Sequence, residues 1–405
     1  MELIPRKEYL RQLEDFRDKQ VIKVITGVRR CGKTTLMRLF KEKLRQSGVS
    51  EDAIVTLNFE DFDTVPLTEP KVLHDYLKSK LIPGKTVYFF LDEIQHVKEF
   101  PRVLDSLYIR EGTDLYVTGS NANLLSSEIA TLISGRYVEI KMLPLSLKEF
   151  IEGQTRERSL AENYRRYLEQ SAFPYALALE SEQAVRTYLE GIYSTILVKD
   201  VMLRKKVADV GVLESVTRFL FDSIGSLMST KKIADTLTSQ GRRVDAKTVE
   251  RYIAALTESF VLYEARRYDI SGKAQLARYE KYYLVDLGLR RVVLGNRAMD
   301  VGHTLENVVY LELKRRRYEV YVGKVGDTEV DFVAKNEKGL QYIQVSATVR
   351  DEKTLARELR SLQLIDDNYP KLLLTLDEDP AADFDGILRM NALEWLVGDT
   401  SSVGT

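Results

Sequence analysis

Cysteine occurs once in the 405 residues, as Cys31, so an internal disulfide is excluded. The three histidines, His74, His96 and His303, are too scattered for a zinc-ligand spacing, and no structural metal is expected. Neither sign of charge dominates: 60 basic and 61 acidic side chains leave a net charge of −1, which confines any nucleic-acid contact to a local patch. No apolar run approaches bilayer length, because Lys23 interrupts the first strand-like stretch and Val87 to Leu91 is short. Met1 to Gln20 mixes both charge signs and lacks the apolar stretch and cleavage site of a secretory signal. A cytoplasmic chain without a membrane span is therefore expected. What is present, 44% hydrophobic and 30% charged residues, is the composition of a globular protein, and the length calls for two or three domains.

Hydrophobic periodicity organises the first segment as an amphipathic helix around Tyr9 to Phe16, a buried strand over Val21 to Thr26, a glycine-containing turn and a helix over Lys33 to Leu44. Strand patterns recur at Ala53 to Phe59, Thr86 to Leu91, Asp114 to Thr118 and Tyr137 to Ile140, with helical spacers between most of them. That alternation predicts an α/β fold with a parallel sheet covered by helices on both faces. From Ser146 to Lys206 the pattern is helical, as for a lid or connector. Three helices follow, over Leu213 to Ser226, Thr230 to Gln240 and Ala246 to Ser259, then a hairpin-like Val261 to Tyr268, the element order of a winged helix-turn-helix. The remainder predicts a helix holding Glu306 to Arg317, strands at 319–325, 329–334 and 341–347, a helix with Leu355 to Leu364 and a strand at 372–376.

Gly27-Val28-Arg29-Arg30-Cys31-Gly32-Lys33-Thr34 has two glycines at P-loop spacing followed by Lys-Thr, between strand and helix. Gly27 and Gly32 let backbone amides of Arg30, Cys31, Lys33, Thr34 and Thr35 curl around phosphates, and Lys33 reaches the β and γ phosphates of a nucleotide, expected to be ATP. Thr34 offers its hydroxyl to Mg²⁺. The apolar strand Val87 to Leu91 ends in Asp92-Glu93, with Asp92 expected to orient the metal's water shell and Glu93 to polarise the attacking water. Ser120 or Asn121, after the strand Leu115 to Thr118, senses hydrolysis or forms an ordinary polar turn. Arg136, after Ser134-Gly135, suits a developing phosphate charge in its own or a neighbouring subunit; the competing reading is a surface ion pair. Arg29 and Arg30 either add charge near the phosphates or pair with Asp61 and its neighbours. No catalytic part is expected for the Cys31 thiol.

With these residues in place the chain resembles the prokaryotic AAA+-type ATPases that carry a C-terminal domain of unknown function with a restriction-endonuclease-like fold. The resemblance rests on the phosphate loop through Thr35, Leu-Asp-Glu-Ile-Gln at 91 to 95, Thr-Gly-Ser-Asn at 118 to 121, Ser-Gly-Arg at 134 to 136, Leu-Pro-Leu-Ser at 143 to 146 and Tyr-Ile-Gln-Val-Ser at 342 to 346. It implies an ASCE/AAA+-type P-loop core over residues 1–145, a helical lid over 146–206, a winged helix over 207–275 and an α/β restriction-endonuclease-like domain over 276–405. One departure is Ser171-Ala172 before Phe173-Pro174, where many relatives have two glycines, which implies a stiffer hinge.

Lys231, Lys232, Arg242, Arg243, Lys247 and Arg251 mark the winged-helix segment for DNA phosphates, while Glu214, Asp235, Asp245 and Glu250 nearly neutralise it and leave domain docking as an equal rival. In the last segment, strand period puts Glu329, Asp331 and Val333 on one face, and Tyr342, Gln344 and Ser346 on one face of the next strand. With Glu306 these approach a metal-dependent nuclease site, but Gln344 stands in an acid position and Ser346 in the lysine position, so a cleavage-dead module is preferred unless Lys335 or Lys314 reaches in. The leading expectation is an oligomeric ATP-hydrolysing motor or switch acting on DNA or a DNA-bound partner. The alternatives are a nucleotide-controlled signalling scaffold and a nuclease effector.

Overall fold

The computed structural model describes residues 3–122, 135–202, 207, 209–276, 279–295, 300–337 and 339–398. It divides into two compact units, Met1–Pro144 with Glu258–Phe260, and Leu145–Thr257 with Val261–Thr405. Ser134, from the sequence motif around Arg136, lies outside the described residues. Among the described residues no helix is long and apolar enough to cross a membrane.

In the first unit the chain runs α1 (Lys7–Asp15), β1 (Ile22–Thr26), α2 (Lys33–Gln46), β2 (Ile54–Asn58), α3 (Pro70–Ser79), β3 (Val87–Asp92), α4 (Phe100–Tyr108), β4 (Thr113–Gly119) and β5 (Tyr137–Lys141). The five strands form one parallel sheet in the order β2-β3-β4-β1-β5. β1 and β3 are buried along their whole length, which explains why β3 reads as an apolar run up to Asp92 and β1 as one interrupted by Lys23 alone before Thr26. β4 inserts between them, so the carboxylates ending β3 and the loop leaving β1 flank one polar strand end.

Lys23 is the exception to that apolar rule. Fully buried in β1, it pairs with Asp114 of β4, which also accepts from the Tyr116 hydroxyl (3.0 Å) and the Asp18 N–H (3.0 Å). Burial drives both members toward neutrality, lowering the ammonium and raising the carboxyl, while each partner's charge opposes the shift.

The second unit opens with helices α5 (Leu147–Glu152), α6 (Leu160–Gln170) and α7 (Glu182–Thr195). A capping box between Ser146 and Glu149 starts α5. Then come α8 (Val210–Asp222), α9 (Thr230–Ser239), α10 (Ala246–Glu258), β6 (Leu262–Ala265), β7 (Arg267–Asp269), β8 (Ala274–Gln275), β9 (Lys281–Leu284), α11 (Leu287–Leu294) and α12 (Val301–Arg315). Ser229 caps α9 through the Lys232 N–H. The chain closes with β10 (Glu319–Val325), β11 (Thr328–Asn336), β12 (Gly339–Ser346), α13 (Glu352–Gln363), β13 (Lys371–Thr375), β14 (Ala382–Phe384), β15 (Ile387–Asn391) and α14 (Ala392–Val397).

The hairpin expected over Val261 to Tyr268 is not formed. β6 pairs instead with β9, and a backbone bridge from Met228 to Glu280 adds a third partner. β7 and β8, lying between β6 and β9 in sequence, form the edge of an eight-stranded mixed sheet ordered β14-β15-β13-β12-β11-β10-β7-β8. The expected boundary at 275/276 is therefore crossed twice, by the β6–β9 pair and by β7 joining β10. The change of partner falls at Arg266, which lies between the two short strands and pairs with Glu264; β6 and β7 each find a strand distant in sequence instead of one another.

Breaking the buried pair in β1 and β4 tests how the core tolerates charge. Lys23→Met alone should cost ~3–5 kcal/mol in urea unfolding, because Asp114 is stranded, and adding Asp114→Leu should recover most of the loss.

Candidate functional site

The loop Gly27–Gly32 leaves β1 and enters α2. Gly27 adopts φ 150°, and a Cβ there would lie 2.1 Å from the Met142 carbonyl oxygen, so no other residue fits against the chain leaving β5. Gly32, at φ 106°, caps α2 in the left-handed region. Lys33 begins the helix, buried, and its ammonium donates to the carbonyls of Gly27 (2.9 Å) and Val28 (3.3 Å). Thr34 is exposed and Thr35 half-buried at the same helix start, Arg30 is exposed at φ 69°, and Arg29 pairs with Glu60 at 2.8 Å. Arg29 thus has a neighbour of Asp61 as ion-pair partner, and its charge also acts on Glu93 at the phosphate-loop end of the sheet. The Cys31 thiol is buried, which pushes its pKa up and keeps it a neutral packing group.

Across the sheet end, the Thr34 hydroxyl donates to Asp92 Oδ2 at 2.7 Å and the Thr118 hydroxyl donates to Asp92 Oδ1. Burial raises the Asp92 pKa, and these two hydrogen bonds oppose the rise. Glu93 takes a left-handed conformation, φ 52°, ψ 48°, with its N–H donating to Thr118 Oγ1 at 2.9 Å. Its carboxylate lies 3.7 Å from the Lys33 ammonium and accepts from the Gln95 amide. Burial pushes Glu93 up, but Lys33, Gln95, Arg29 and Ser120 together hold it below the ordinary carboxylate value. Ser120 and Asn121 are buried just beyond β4, on the strand between β3 and β1.

The structure thus brings Gly27, Gly32, Lys33, Thr34, Asp92, Glu93, Ser120 and Asn121 to one end of the sheet. Arg136 is at the other. It precedes Tyr137, which pairs with Ile22 at the start of β1, so roughly 16 Å of strand separates it from the phosphate loop. It does not serve its own loop; the guanidinium pairs with Asp105 and stacks on the Tyr108 ring. Sequence reasoning missed three supports. Thr118 enters the sequence reading as a strand end and a motif residue, and Gln95 as a motif residue, neither with a role. Arg6 gives no sequence signal at all, yet its guanidinium donates to the carbonyls of Cys31 (3.2 Å) and Leu143 (2.6 Å), tying the back of the loop to the chain after β5.

The expected second site is half assembled. Glu306 of α12 and Asp331 of β11 meet, with Glu329, around the Lys281 ammonium of β9 at 2.8, 3.6 and 2.7 Å. Tyr283 donates to Glu306 at 2.6 Å. Gln344 does not join: it accepts from the Asp331 N–H and donates to Glu358 at 2.8 Å. Ser346 donates to the Thr348 carbonyl. Val333 leaves the Asp331 face because β11 carries one extra residue opposite Val322, a bulge that turns Val330 and Val333 into the same apolar core. Neither Lys335 nor Lys314 supplies the lysine; Lys281, unsuspected, does. Among the described residues no three His, Cys, Asp or Glu side chains are grouped to hold a metal ion. Burial and then Glu306 push Asp331 up to about 7 against the pull of Lys281.

The six basic residues of α9, α10 and their turn are all exposed. Arg243 and Arg251 line an open groove of about 600 Å³ with Thr238, Thr248 and Tyr252, and Asp209 and Asp245 share it.

Two outcomes check these sites. Gly27→Ala should abolish binding of a fluorescent nucleoside triphosphate while leaving the far-ultraviolet circular dichroism unchanged. For Asp331, the folded value lies above the unfolded value of about 3.9, so its stabilising contribution is complete below about pH 4 and is lost as pH rises through about 7. Urea unfolding of the wild type should therefore weaken across that window by up to roughly 1.4 kcal/mol per pH unit relative to Asp331→Asn, which keeps an acceptor for the Val345 N–H.

Comparison with known proteins agrees with the geometry. Residues 19–151 match the AAA domain family and residues 161–300 match a domain of unknown function (DUF8612), a segment that runs across the expected boundaries at 206 and 275. The chain is 38% identical over 399 residues to an uncharacterized protein of Haemophilus influenzae, covering 98% of this chain and 99% of that one. It is 26% identical over 383 residues to an uncharacterized protein of Methanocaldococcus jannaschii, covering 88% of this chain and 82% of the other. Among solved structures the Walker-type ATPase of Pyrococcus abyssi is similar, with TM-score 0.52 and 14% identity over 72% of this chain and 96% of that chain, a likeness of fold alone. On the phosphate loop, the paired carboxylates and the match to the AAA domain family, the chain is an AAA+-type P-loop family member, and its full-length relationship places it in one family with the uncharacterized Haemophilus protein.

Proposed function

We propose that this protein is a cytoplasmic, Mg²⁺-dependent ATPase that works as a motor or switch on DNA or a DNA-bound partner. The observation that carries the reading is the single network joining Thr34, Asp92, Thr118 and Glu93 beside Lys33. The residues fit the ligands: a glycine cradle that a Cβ would fill, an ammonium at the helix start, and a hydroxyl and carboxylate already aligned. Mg²⁺, held through Thr34 and Asp92, would offset phosphate charge. Gly27, Gly32 and the amides from Arg30 to Thr35 would bind the phosphate tail, with Lys33 exchanging its loop carbonyls for phosphate oxygens. Glu93, kept ionised by Lys33 and Gln95, would accept the proton of the attacking water, and Asn121 would contact the terminal phosphate.

Arg136 fits a neighbour's site better than its own, since it is 39% exposed and a strand length from its own loop; that supports a homo-oligomer. The exposed Lys231, Lys232, Arg242, Arg243, Lys247 and Arg251 support a winged helix holding DNA phosphates through α9 and α10. The wing is not offered for this role, because β7 and β8 are built into the mixed sheet. The Lys281 cluster favours a restriction-endonuclease-like domain that does not cleave, with an ammonium at the centre of the carboxylates. A nucleotide-controlled signalling scaffold remains the second reading, favoured by Asp209 and Asp245 in the basic groove.

Lys33→Ala should remove ATP binding, whereas Glu93→Gln should keep binding and lower turnover by ~10²–10⁴. ATP retained by Lys33→Ala in magnesium buffer would end the reading. Arg242→Ala/Arg243→Ala should weaken DNA binding and flatten its salt dependence by about 2 charges. ATP turnover unmoved by duplex, single-stranded or branched DNA would favour the scaffold.

A further inference from the structure

Thr118 is fully buried in β4, between the strand that ends in the phosphate loop and the strand that ends in Asp92-Glu93. Its position is set by register. Ile25 pairs with Thr118 on one side, and Leu91 pairs with Val117 on the other, which brings Asp92 beside Thr118.

A threonine hydroxyl has one proton, and here its use is assigned by its neighbours. Asp92, as a carboxylate, can only accept, so the Thr118 proton goes to Oδ1. The Glu93 backbone N–H can only donate, so it takes a Thr118 lone pair, at 2.9 Å. The second Asp92 oxygen is held by Thr34 at 2.7 Å. One hydroxyl therefore fixes the side chain of one carboxylate and the backbone of the next. The second bond matters because Glu93 is a non-glycine residue in the left-handed region, a conformation that persists only where surroundings hold it. Contacts at both its backbone and its carboxylate hold it: its N–H donates to Thr118, its carbonyl accepts from the His96 N–H at 3.2 Å, and Gln95 and Lys33 face its carboxylate.

We propose that Thr118 is a positioning residue for ATP hydrolysis, which holds Asp92 and Glu93 in fixed relation so that the base faces the terminal phosphate. This rests on the reading of Glu93 as the base. Thr118 touches neither nucleotide nor water in this role and acts through the two carboxylates. Its loss leaves the phosphate cradle and Lys33 intact, so turnover falls while ATP affinity holds. Displacing a reacting group by about 1 Å costs on the order of 100-fold in rate.

The test compares Thr118→Ser, Thr118→Ala and the near-isosteric Thr118→Val in the full chain, with Glu93→Gln beside them. ATP turnover and ATP affinity in the absence of Mg²⁺ are measured for each. Serine and alanine both lose the methyl group and differ only in the hydroxyl, so that pair decides the matter if valine fails to fold. Thr118→Ser should stay within about 3-fold of wild type, and Thr118→Ala and Thr118→Val should lose on the order of 100-fold in turnover with affinity changed by less than about 3-fold. Equal turnover in serine and alanine variants, with Glu93→Gln inactive, overturns the positioning role and leaves the base intact. An affinity loss as large as the turnover loss also overturns it, since that is the mark of a collapsed site. Full turnover in Glu93→Gln removes the base itself, and the positioning role with it.

Discussion

Two adjacent carboxylates buried at the end of a hydrophobic strand are the constraint around which the first unit is built. Asp92 and Glu93 follow five apolar residues of β3, and burial raises the free energy of both ionised forms. The surrounding elements answer with donors: Thr34 from α2, Thr118 from β4, Lys33 from the helix start and Gln95 from the turn after the pair. The answer is unequal. Asp92 receives only neutral hydroxyls in this network and is raised, whereas Glu93 faces an ammonium and is lowered. The two neighbouring carboxylates thus acquire different electrostatic characters from the ammonium of the helix start, while the insertion of β4 between β1 and β3 supplies Thr118 to both.

Buried charge is handled differently elsewhere. Lys23 and Asp114 form an inward pair with tyrosine and backbone donors, a solution that positions β1 against β4 without leaving an exposed reactive group. In the second unit three carboxylates share one ammonium, and a stacked pair, Tyr283 and Tyr310 at 4.1 Å, lies beside them. An ammonium carries one charge and takes no further ligand, so it offsets one of the three carboxylates, and burial together with the remainder of the repulsion raises Asp331. A divalent ion would carry two charges and retain open positions for phosphate. That contrast supports the proposed reading of a non-cleaving cluster more than the identity of the residue at 346 does.

The sheet of the first unit and the contents of its phosphate loop were legible because each strand is short, apolar and followed by a glycine or polar break. The expected strands at 53–59, 86–91, 114–118 and 137–140 fall on β2 to β5 within a residue or two. Three failures share a physical cause. The wing, the cluster lysine and the Arg6 tether all depend on long-range pairing, which local periodicity does not carry. Lys281 reads as an ordinary basic residue until β6 pairs with β9 and turns it toward α12. Val333 was misplaced by a bulge, an event that shifts a period of two by one residue and leaves no mark in composition.

Ser171 illustrates the opposite case, where a departure visible in sequence has a structural consequence that can be derived. It lies at φ 107°, ψ 149°, a region that glycine enters freely and other residues enter at a cost. Its hydroxyl donates to Asp286 at 3.0 Å and accepts from the Phe173 N–H at 3.1 Å, while Asp286 also accepts from the Ala172 N–H and caps α11 through Leu289. A glycine at 171 would relieve the backbone cost but would lose both hydroxyl bonds and gain freedom in the unfolded chain. The serine therefore exchanges conformational ease for a fixed connection between the end of α6 and the start of α11.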